Sequence, residues 1–203
     1  MICVPSGVAD EKRGSSSGVI ISRDGFVLSD GVVGQVFKRE GRRMTAEKLQ
    51  DEVDVRVPDL ERGGFATYPA RVVRRVRGTD TSLLRILEPP PGGFRECLEP
   101  DTSKLLRVGD FTFVAGNAFG MAQEAPPTLT AGIVSSHTAL PAGDAGGAVE
   151  FLYTSAAVNP GVNGGPCVDI DGRLVGTVST WLPAAPGEPY QFHGKVIPMD
   201  RIR

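Results

Sequence analysis

Glycine and proline set the strongest constraint on the fold of this sequence. The 203 residues include 26 glycines and 16 prolines, and both residue types weaken the interior of an α-helix. A helical bundle would be destabilised by this content, whereas a β protein with many turns accommodates it. Apolar residues make up 40% of the chain and charged residues 23%, which is enough apolar material for a packed core. The composition therefore favours an all-β fold.

Charge balance and apolar-run length argue against two kinds of partner. Lysine and arginine number 22 against 24 aspartates and glutamates, a formal net charge of −2. A nucleic-acid-binding protein normally has a clear basic excess. No apolar run approaches the roughly 20 residues that span a bilayer. We therefore expect no nucleic-acid partner and no membrane span.

The cysteines and histidines predict neither a metal site nor a cofactor. Cys3, Cys97 and Cys167 are widely spaced and odd in number, which fits neither a disulfide framework nor a CxxC metal pair. The two histidines are His137 and His193, so a zinc site would need carboxylates or these scattered thiols to complete it. We interpret the thiols as isolated core residues.

Short runs with β-strand character occur along the whole chain. Residues 18–29 contain two β-prone runs around Asp24 and Gly25, and residues 166–179 repeat this arrangement around Asp171 and Gly172. Each Asp-Gly pair predicts a type I′ hairpin turn, in which both central residues have positive φ. Only 45–52 has the composition of a helix. Further strands are predicted at 53–57, 70–76, 82–87, 111–115, 128–135 and 195–198.

Three stretches of the chain carry specific residue patterns in a fixed order. They are 18–33 (GVIISRDGFVLSDGVV), 80–86 (DTSLLRI) and 159–166 (NPGVNGGP). Together they resemble the glycine-led hairpin and histidine segment, the aspartate strand and the nucleophile loop of the trypsin-like serine proteases of the HtrA type. Flanking segments resemble the same family, at 115–120 (AGNAFG), 130–135 (TAGIVS) and 194–198 (GKVIP).

The resemblance extends from about residue 18 to residue 198 and implies a fold. It implies one trypsin-like unit over 1–203, built as two antiparallel six-stranded β-barrels with the active cleft between them. The N-terminal barrel is expected at about 1–93 and the C-terminal barrel at about 104–203. The proline-rich segment 88–93 is the predicted junction between the halves.

The triad positions of the family fall on Gly31, Asp80 and Asn163. Acyl transfer needs a hydroxyl that attacks, an imidazole that takes its proton and a carboxylate that orients the imidazole. Asp80 supplies the carboxylate, but Gly31 has no side chain and the delocalised amide nitrogen of Asn163 is a poor nucleophile. The resemblance therefore implies a degenerate triad and a pseudoprotease, not an enzyme.

Two other readings stay open at this point. In the first, the chain is a residual or unconventional serine- or cysteine-type peptidase that uses a displaced base such as His193, or Cys167 as nucleophile. Cys167 aligns with a strand residue that the family buries, and a buried thiol is inert. In the second, the chain is a purely structural subunit.

The resemblance implies that the cleft can still bind a protein or an extended peptide. Backbone N–H groups of the nucleophile loop would bind a carbonyl oxygen, and the strand at 178–180 would pair with the peptide backbone. Lys195 stands where the family usually has an apolar residue. The expected binding residues are Gly161, Asn163, Val178, Ser179, Thr180 and Lys195.

Location and assembly follow only from the resemblance. Proteins of the HtrA type are mostly found in the envelope, secreted or in organelles, which implies a periplasmic or secreted location. They commonly form trimers and continue into a PDZ domain. The resemblance therefore leaves open an oligomer, a subunit of a larger assembly or a further domain.

Overall fold

The computed structural model describes residues 1–9, 12–41, 43–59, 63–76, 79–103, 106–123, 126–141, 148–179 and 194–202 of the chain. Short 3-10 turns lie at Ala118–Gln123 and Met199–Arg201. The strands are β1 (Ile2–Pro5), β2 (Ser16–Ile20), β3 (Phe26–Asp30), β4 (Gln35–Glu40), β5 (Arg43–Leu49), β6 (Glu52–Pro58), β7 (Phe65–Val76), β8 (Thr81–Ile86), β9 (Phe111–Gly116), β10 (Thr128–Pro141), β11 (Ala148–Thr154), β12 (Pro166–Val168), β13 (Leu174–Ser179) and β14 (Gly194–Pro198).

Most of these strands close into two antiparallel barrels of six strands each. The first has the strand order β1-β2-β3-β8-β7-β6 and the second has the order β10-β11-β14-β13-β12-β9. Strands β4 and β5 form a separate two-stranded sheet. The predicted all-β fold of two six-stranded antiparallel barrels is therefore confirmed.

The first barrel is filled from alternate positions of its strands, as β6 illustrates. Val53 and Val55 are fully buried, whereas Asp54 and Arg56 between and beside them are only partly buried. Side chains alternate between the two faces of a strand, so one face fills the barrel. The buried cluster consists of Cys3, Ile20, Val27, Val33, Val53, Val55, Ala70, Val72, Leu84, Ile86 and Phe94.

The second barrel is organised by β10, a strand of 14 residues. Its first half pairs with β9 and its second half with β11, with a register shift between Val134 and Ser136. Such an irregularity bends a strand and allows it to serve two neighbours. The buried cluster consists of Leu106, Val114, Ala118, Val134, Leu152, Ala156, Val162, Cys167, Val175, Val178 and Val196.

A smaller apolar cluster joins the two barrels. Val19 and Leu28 of the first barrel pack with Leu174 and Met199 of the second, and all four side chains are buried. Burial of an aliphatic side chain contributes about 1.5–3 kcal/mol. This cluster therefore stabilises the packing of the two barrels against each other.

The barrels also meet through backbone at Gly164, in the turn before β12. A Cβ at this glycine would lie 2.3 Å from the Asp30 amide nitrogen and 2.5 Å from the Ser17 carbonyl oxygen. Both contacts are to backbone atoms of the first barrel, which cannot swing aside as a side chain can. Only glycine permits this approach.

The two predicted hairpins are present, but their predicted turn type is wrong. β2 pairs with β3, and β12 pairs with β13. Gly25 and Gly172 have φ of +92° and +77°, whereas the preceding Asp24 and Asp171 are absent from the positive-φ residues. A type I′ turn needs positive φ at both residues. The connections are longer, and only the glycine of each pair is left-handed.

The helix expected from the composition of residues 45–52 is also wrong. Residues 45–49 of this segment lie in β5, and residue 52 begins β6. β5 pairs with β4 from the Glu40–Arg43 pair to the Gln35–Leu49 pair. Helix propensity is a weak preference that tertiary context overrides. Here the adjacent strand supplies backbone partners that a sequence window does not reveal.

Candidate functional site

Gly31 and Asp80 face each other at the ends of two adjacent strands. Asp30, the last residue of β3, is the register partner of Thr81, the first residue of β8. The residue after Asp30 therefore lies beside the residue before Thr81. A Cβ at Gly31 would lie 2.7 Å from Asp80 Oδ1. The carboxylate occupies the space into which a side chain at position 31 would extend.

The Asp80 carboxylate is held by a side chain of the second barrel. Ser179, at the end of β13, donates its O–H to Asp80 Oδ2 at 2.8 Å. Ser179 pairs in register with Lys195 on β14. The Lys195 Nζ lies 3.5 Å from the centre of the Phe151 ring. Burial lowers the pKa of Lys195, and the charge of Asp80 partly opposes that shift. The Asp80 carboxylate therefore accepts a hydrogen bond from a hydroxyl group and interacts electrostatically with the buried Lys195 amine.

Arg75 fixes the backbone around position 31. Its guanidinium donates to the carbonyl oxygens of Gly31 at 3.0 Å and Val33 at 3.2 Å. The same guanidinium pairs with the Asp51 carboxylate at 3.0 Å. Several bonds from one rigid, planar group keep this turn in a single conformation.

Asp30 is a second carboxyl group at the site, and sequence analysis did not single it out. It is only 2% exposed. Its Oδ1 accepts hydrogen bonds from Ser16 Oγ at 3.2 Å and from the Val32 N–H at 3.0 Å. Burial, and next the negative charge of Asp80, raise the pKa of Asp30 to about 6.

Asn163 binds the first barrel through its backbone. Its carbonyl oxygen accepts the Ser17 N–H at 2.8 Å, and the next N–H, of Gly164, donates to the Val178 carbonyl at 2.7 Å. The side-chain amide lowers the pKa of the Asp30 carboxyl, against the larger effects of burial and Asp80. Its Oδ1 atom is buried and has no hydrogen-bond partner among the described residues. The carboxamide therefore has a buried oxygen that is unsatisfied.

Gly161 lies in the same loop with φ of +97°, and a Cβ there would lie 2.3 Å from the Asn117 carbonyl oxygen. Its own carbonyl accepts the Ser17 O–H at 2.7 Å. The preceding carbonyl, of Pro160, accepts the Phe119 N–H at 2.7 Å. In a trans peptide the N–H points opposite to the C=O, so the Gly161 N–H is directed away from Phe119.

The structure describes some of the other predicted site residues and not others. Val178 is buried and pairs with Val196 in the barrel, so its side chain belongs to the core. Thr180 and His193 lie outside the described residues. His137 is exposed on β10 and lines a cavity of about 260 Å³ whose described lining includes none of the triad positions.

Two of the three cysteines are buried in the cores of the barrels. Cys3 and Cys167 are fully buried, whereas Cys97 is partly buried. Burial raises the pKa of Cys3 to about 11 and that of Cys167 to about 12. Since the thiolate is the nucleophile, neither buried thiol is activated. The expected burial of Cys167 is confirmed.

We expect one thiol of the native protein to react with a disulfide-exchange reagent and two to stay protected. Cys97 should supply the fast reaction, which Cys97→Ser should remove. Cys3 and Cys167 should react only after unfolding, because burial blocks access of the reagent and disfavours the reactive thiolate. The measurement is the absorbance of released thiol in native buffer and then in denaturant. A second fast thiol in native Cys97→Ser would contradict the burial.

Two further features were searched for among the described residues. No described group of three or more histidine, cysteine, aspartate or glutamate side chains is arranged to hold a metal ion. Within the same part of the chain, no helix combines the length and the apolar character needed to cross a membrane.

Comparison with known proteins places this geometry in a family. The model of the trypsin-like peptidase domain matches residues 16–176. The chain belongs to the trypsin-like peptidase family. The HtrA-type resemblance is confirmed by relatives of this trypsin-like domain. The periplasmic pH-dependent serine endoprotease DegQ of Escherichia coli strain K12 is 30% identical over 98% of the chain. The periplasmic serine endoprotease DegP of Salmonella typhimurium is 32% identical over 74%.

The curated relatives are longer than this trypsin-like domain. The chain spans 38% of the DegQ sequence and 29% of the DegP sequence. Among solved structures, the MamO protease domain from Magnetospirillum magneticum matches with a TM-score of 0.70 and 21% identity, over 99% of this chain and 93% of that chain. The HtrA-type protease AlgW matches with a TM-score of 0.68 and 24% identity, over 97% and 55%. Both share the fold.

Proposed function

We propose that this trypsin-like domain is a pseudoprotease, a non-catalytic module that binds a protein or an extended peptide segment without cleaving it. One observation carries the proposal. A Cβ at Gly31 would lie 2.7 Å from Asp80 Oδ1, so the residue beside this carboxylate is one that carries no imidazole. Without that imidazole, nothing at this position can accept the proton of a nucleophile.

The residue at the nucleophile position supports the same conclusion. Asn163 offers a carboxamide, whose delocalised amide nitrogen is a poor nucleophile. In subtilisin, removal of the serine or the histidine alone lowers turnover by about a millionfold. Because both the serine and the histidine of the triad are missing, we expect proteolysis below detection.

Peptide binding is supported by the parts of the cleft that need no nucleophile. The nucleophile-loop backbone keeps a left-handed Gly161 with φ of +97° and is clamped by hydrogen bonds from Ser17 to the carbonyls of Gly161 and Asn163. A fixed loop can present backbone N–H groups to a carbonyl oxygen at no reorganisation cost. An extended peptide can add to a strand edge through its main chain.

The competing peptidase hypothesis depends on His193 or Cys167. Cys167 is fully buried and burial raises its pKa to about 12, which disfavours a thiolate nucleophile. His193 stays a prediction as a displaced base. The names of the relatives favour a periplasmic location for this chain, and an oligomer or a larger assembly remains part of the proposal.

Binding and turnover can be measured on one sample with fluorescein-labelled casein, an unfolded protein. We expect a saturable rise in fluorescence anisotropy, and no labelled fragments on a gel after prolonged incubation. Gly161→Ala should weaken binding by tenfold or more, because a Cβ would collide with the Asn117 carbonyl and shift the loop. Gly120→Ala, at φ of +71° with nothing within 4 Å, is the matched control and should bind like the wild type.

The outcomes separate the three functions. Fragments that disappear in His193→Ala or Cys167→Ala would overturn the non-catalytic proposal in favour of a peptidase. Neither binding nor cleavage would overturn the peptide-binding part and leave a structural subunit.

A further inference from the structure

The peptide unit that joins Asn163 to Gly164 is held by both barrels. Its carbonyl oxygen accepts the Ser17 N–H of the first barrel at 2.8 Å, and its N–H donates to the Val178 carbonyl of the second barrel at 2.7 Å. We call these two hydrogen bonds the interbarrel clamp. They fix the orientation of this peptide unit while the barrels are in contact.

The same two residues form the sequence pair that is most open to deamidation. Of the three asparagines in the chain, Asn117 precedes alanine, Asn159 precedes proline and Asn163 precedes glycine. Glycine has no side chain to hinder attack by its own nitrogen on the preceding carboxamide. In this reaction the Gly164 nitrogen loses its proton and bonds to Asn163 Cγ, the Cγ–Nδ2 bond breaks, and ammonia leaves. Water then opens the cyclic imide to aspartate or isoaspartate.

The folded structure opposes this reaction in two ways. The attacking nitrogen must turn toward Asn163 Cγ, whereas the clamp directs the Gly164 N–H at the Val178 carbonyl. The attack also places negative charge on Asn163 Oδ1, which is buried and has no hydrogen-bond partner among the described residues. An oxyanion that forms without donors is poorly stabilised. The closed conformation is therefore unreactive.

We propose that Asn163 and Gly164 form a deamidation site that is gated by the contact between the barrels. The site is protected while the interbarrel clamp is intact, and it reacts when the loop detaches from the barrels. Local opening of this kind occurs in folded proteins without global unfolding. The inference does not depend on peptide binding in the cleft.

Deamidation makes the opening permanent, because neither product restores the clamp. Isoaspartate adds a carbon atom to the main chain before Gly164, where the backbone already packs against the Asp30 nitrogen and the Ser17 carbonyl. Aspartate keeps the main chain but replaces the carboxamide with a carboxylate. The oxygen at the position of Oδ1 would then be a buried charge without a described donor, which is strongly destabilising.

Peptide mapping by mass spectrometry can follow the reaction on the intact chain at mildly alkaline pH, with and without denaturing urea. Residue 163 should stay unmodified in native buffer and convert to isoaspartate and aspartate in urea. Asn159 should stay intact in both conditions, because the proline nitrogen that follows it carries no hydrogen. Asn163→Gln should stay unmodified at that position in urea, because its longer side chain closes the cyclic imide far more slowly.

Ser17→Ala tests the gate in the folded protein. It removes the hydroxyl that donates to the Gly161 carbonyl at 2.7 Å and accepts the Asn117 N–H at 2.8 Å, while the backbone donor of the clamp stays. Deamidation in native buffer should accelerate by about tenfold, the factor expected for the loss of one or two buried hydrogen bonds. Ser22→Ala, which removes hydrogen bonds within the β2–β3 hairpin, is the control and should react like the wild type.

Each of three results would overturn the proposal. The first is an equal rate of deamidation in native buffer and in urea, zero included, which would show that the clamp protects nothing. The second is an equal native rate in folded Ser17→Ala and the wild type. The third comes from the deamidated fraction, separated by anion exchange and returned to native buffer. If its Gly164 N–H is as protected from hydrogen exchange as in the unmodified protein, the product has restored the clamp.

Discussion

Gly164→Ala should lower the free energy of unfolding by about 3–5 kcal/mol or prevent folding. The new Cβ would lie 2.3 Å from the Asp30 nitrogen and 2.5 Å from the Ser17 carbonyl oxygen. Relief requires the barrels to separate or the turn to move, and φ of +78° adds backbone strain. Urea unfolding followed by tryptophan fluorescence and circular dichroism measures the change.

A matched control separates steric collision from backbone strain. Gly172 has φ of +77°, and nothing lies within 4 Å of a Cβ there. Gly172→Ala should therefore lower the free energy of unfolding only by the strain of a left-handed alanine, about 1–2 kcal/mol. Equal losses in the two variants would contradict the close backbone contact between the barrels.

Asp30→Asn should make the protein more stable at mildly alkaline pH and flatten its pH dependence near pH 6. Burial and Asp80 raise the Asp30 pKa from 3.8 to about 6. The folded state therefore binds this proton more tightly than the unfolded state. The corresponding stability is fully present below the unfolded pKa and is lost as the pH rises through about 6. The loss in the wild type is at most about 3 kcal/mol.

Urea unfolding at a series of pH values from mildly acidic to mildly alkaline measures this difference. Asp24→Asn is the control, because hydrogen bonds from Ser22 and Arg85 lower the pKa of this exposed carboxyl. Its contribution is lost at low pH instead, and the slope near pH 6 should be unchanged. A wild-type slope near pH 6 that persists in Asp30→Asn would show that another group is responsible.

Local sequence patterns are enough to predict many of the strands, and the resemblance to the HtrA-type proteases implies their arrangement as two barrels. In β6, Val53 and Val55 alternate with polar residues, and this period follows from strand geometry alone. β5 was missed because the pairing that stabilises it comes from β4, and the composition of Ala46, Glu47 and Lys48 favours helix. Turn type was missed because the loop length, not the Asp-Gly pair, decides which residues take positive φ.

The site residues that belong to a sequence motif could be predicted. A residue whose properties depend on burial in the folded protein could not. The motifs point to Gly31, Asp80 and Asn163, and the structure places Gly31 against Asp80 and the turn at Asn163 and Gly164 against Asp30. Asp30 appears in the sequence as an ordinary polar residue of the histidine segment. Its raised pKa depends on partners distant in the sequence, and no local pattern records those contacts.

Labelling with a fluorophosphonate probe tests the central claim most directly, because the probe needs a serine activated by a base. The wild type and Asn163→Ser should both stay unlabelled, since the new hydroxyl would have no imidazole beside Asp80 to take its proton. An active trypsin-like protease treated in parallel should label fully. A labelled serine in the wild type, or rapid labelling of Ser at position 163 in the variant, would contradict the account by revealing a working base.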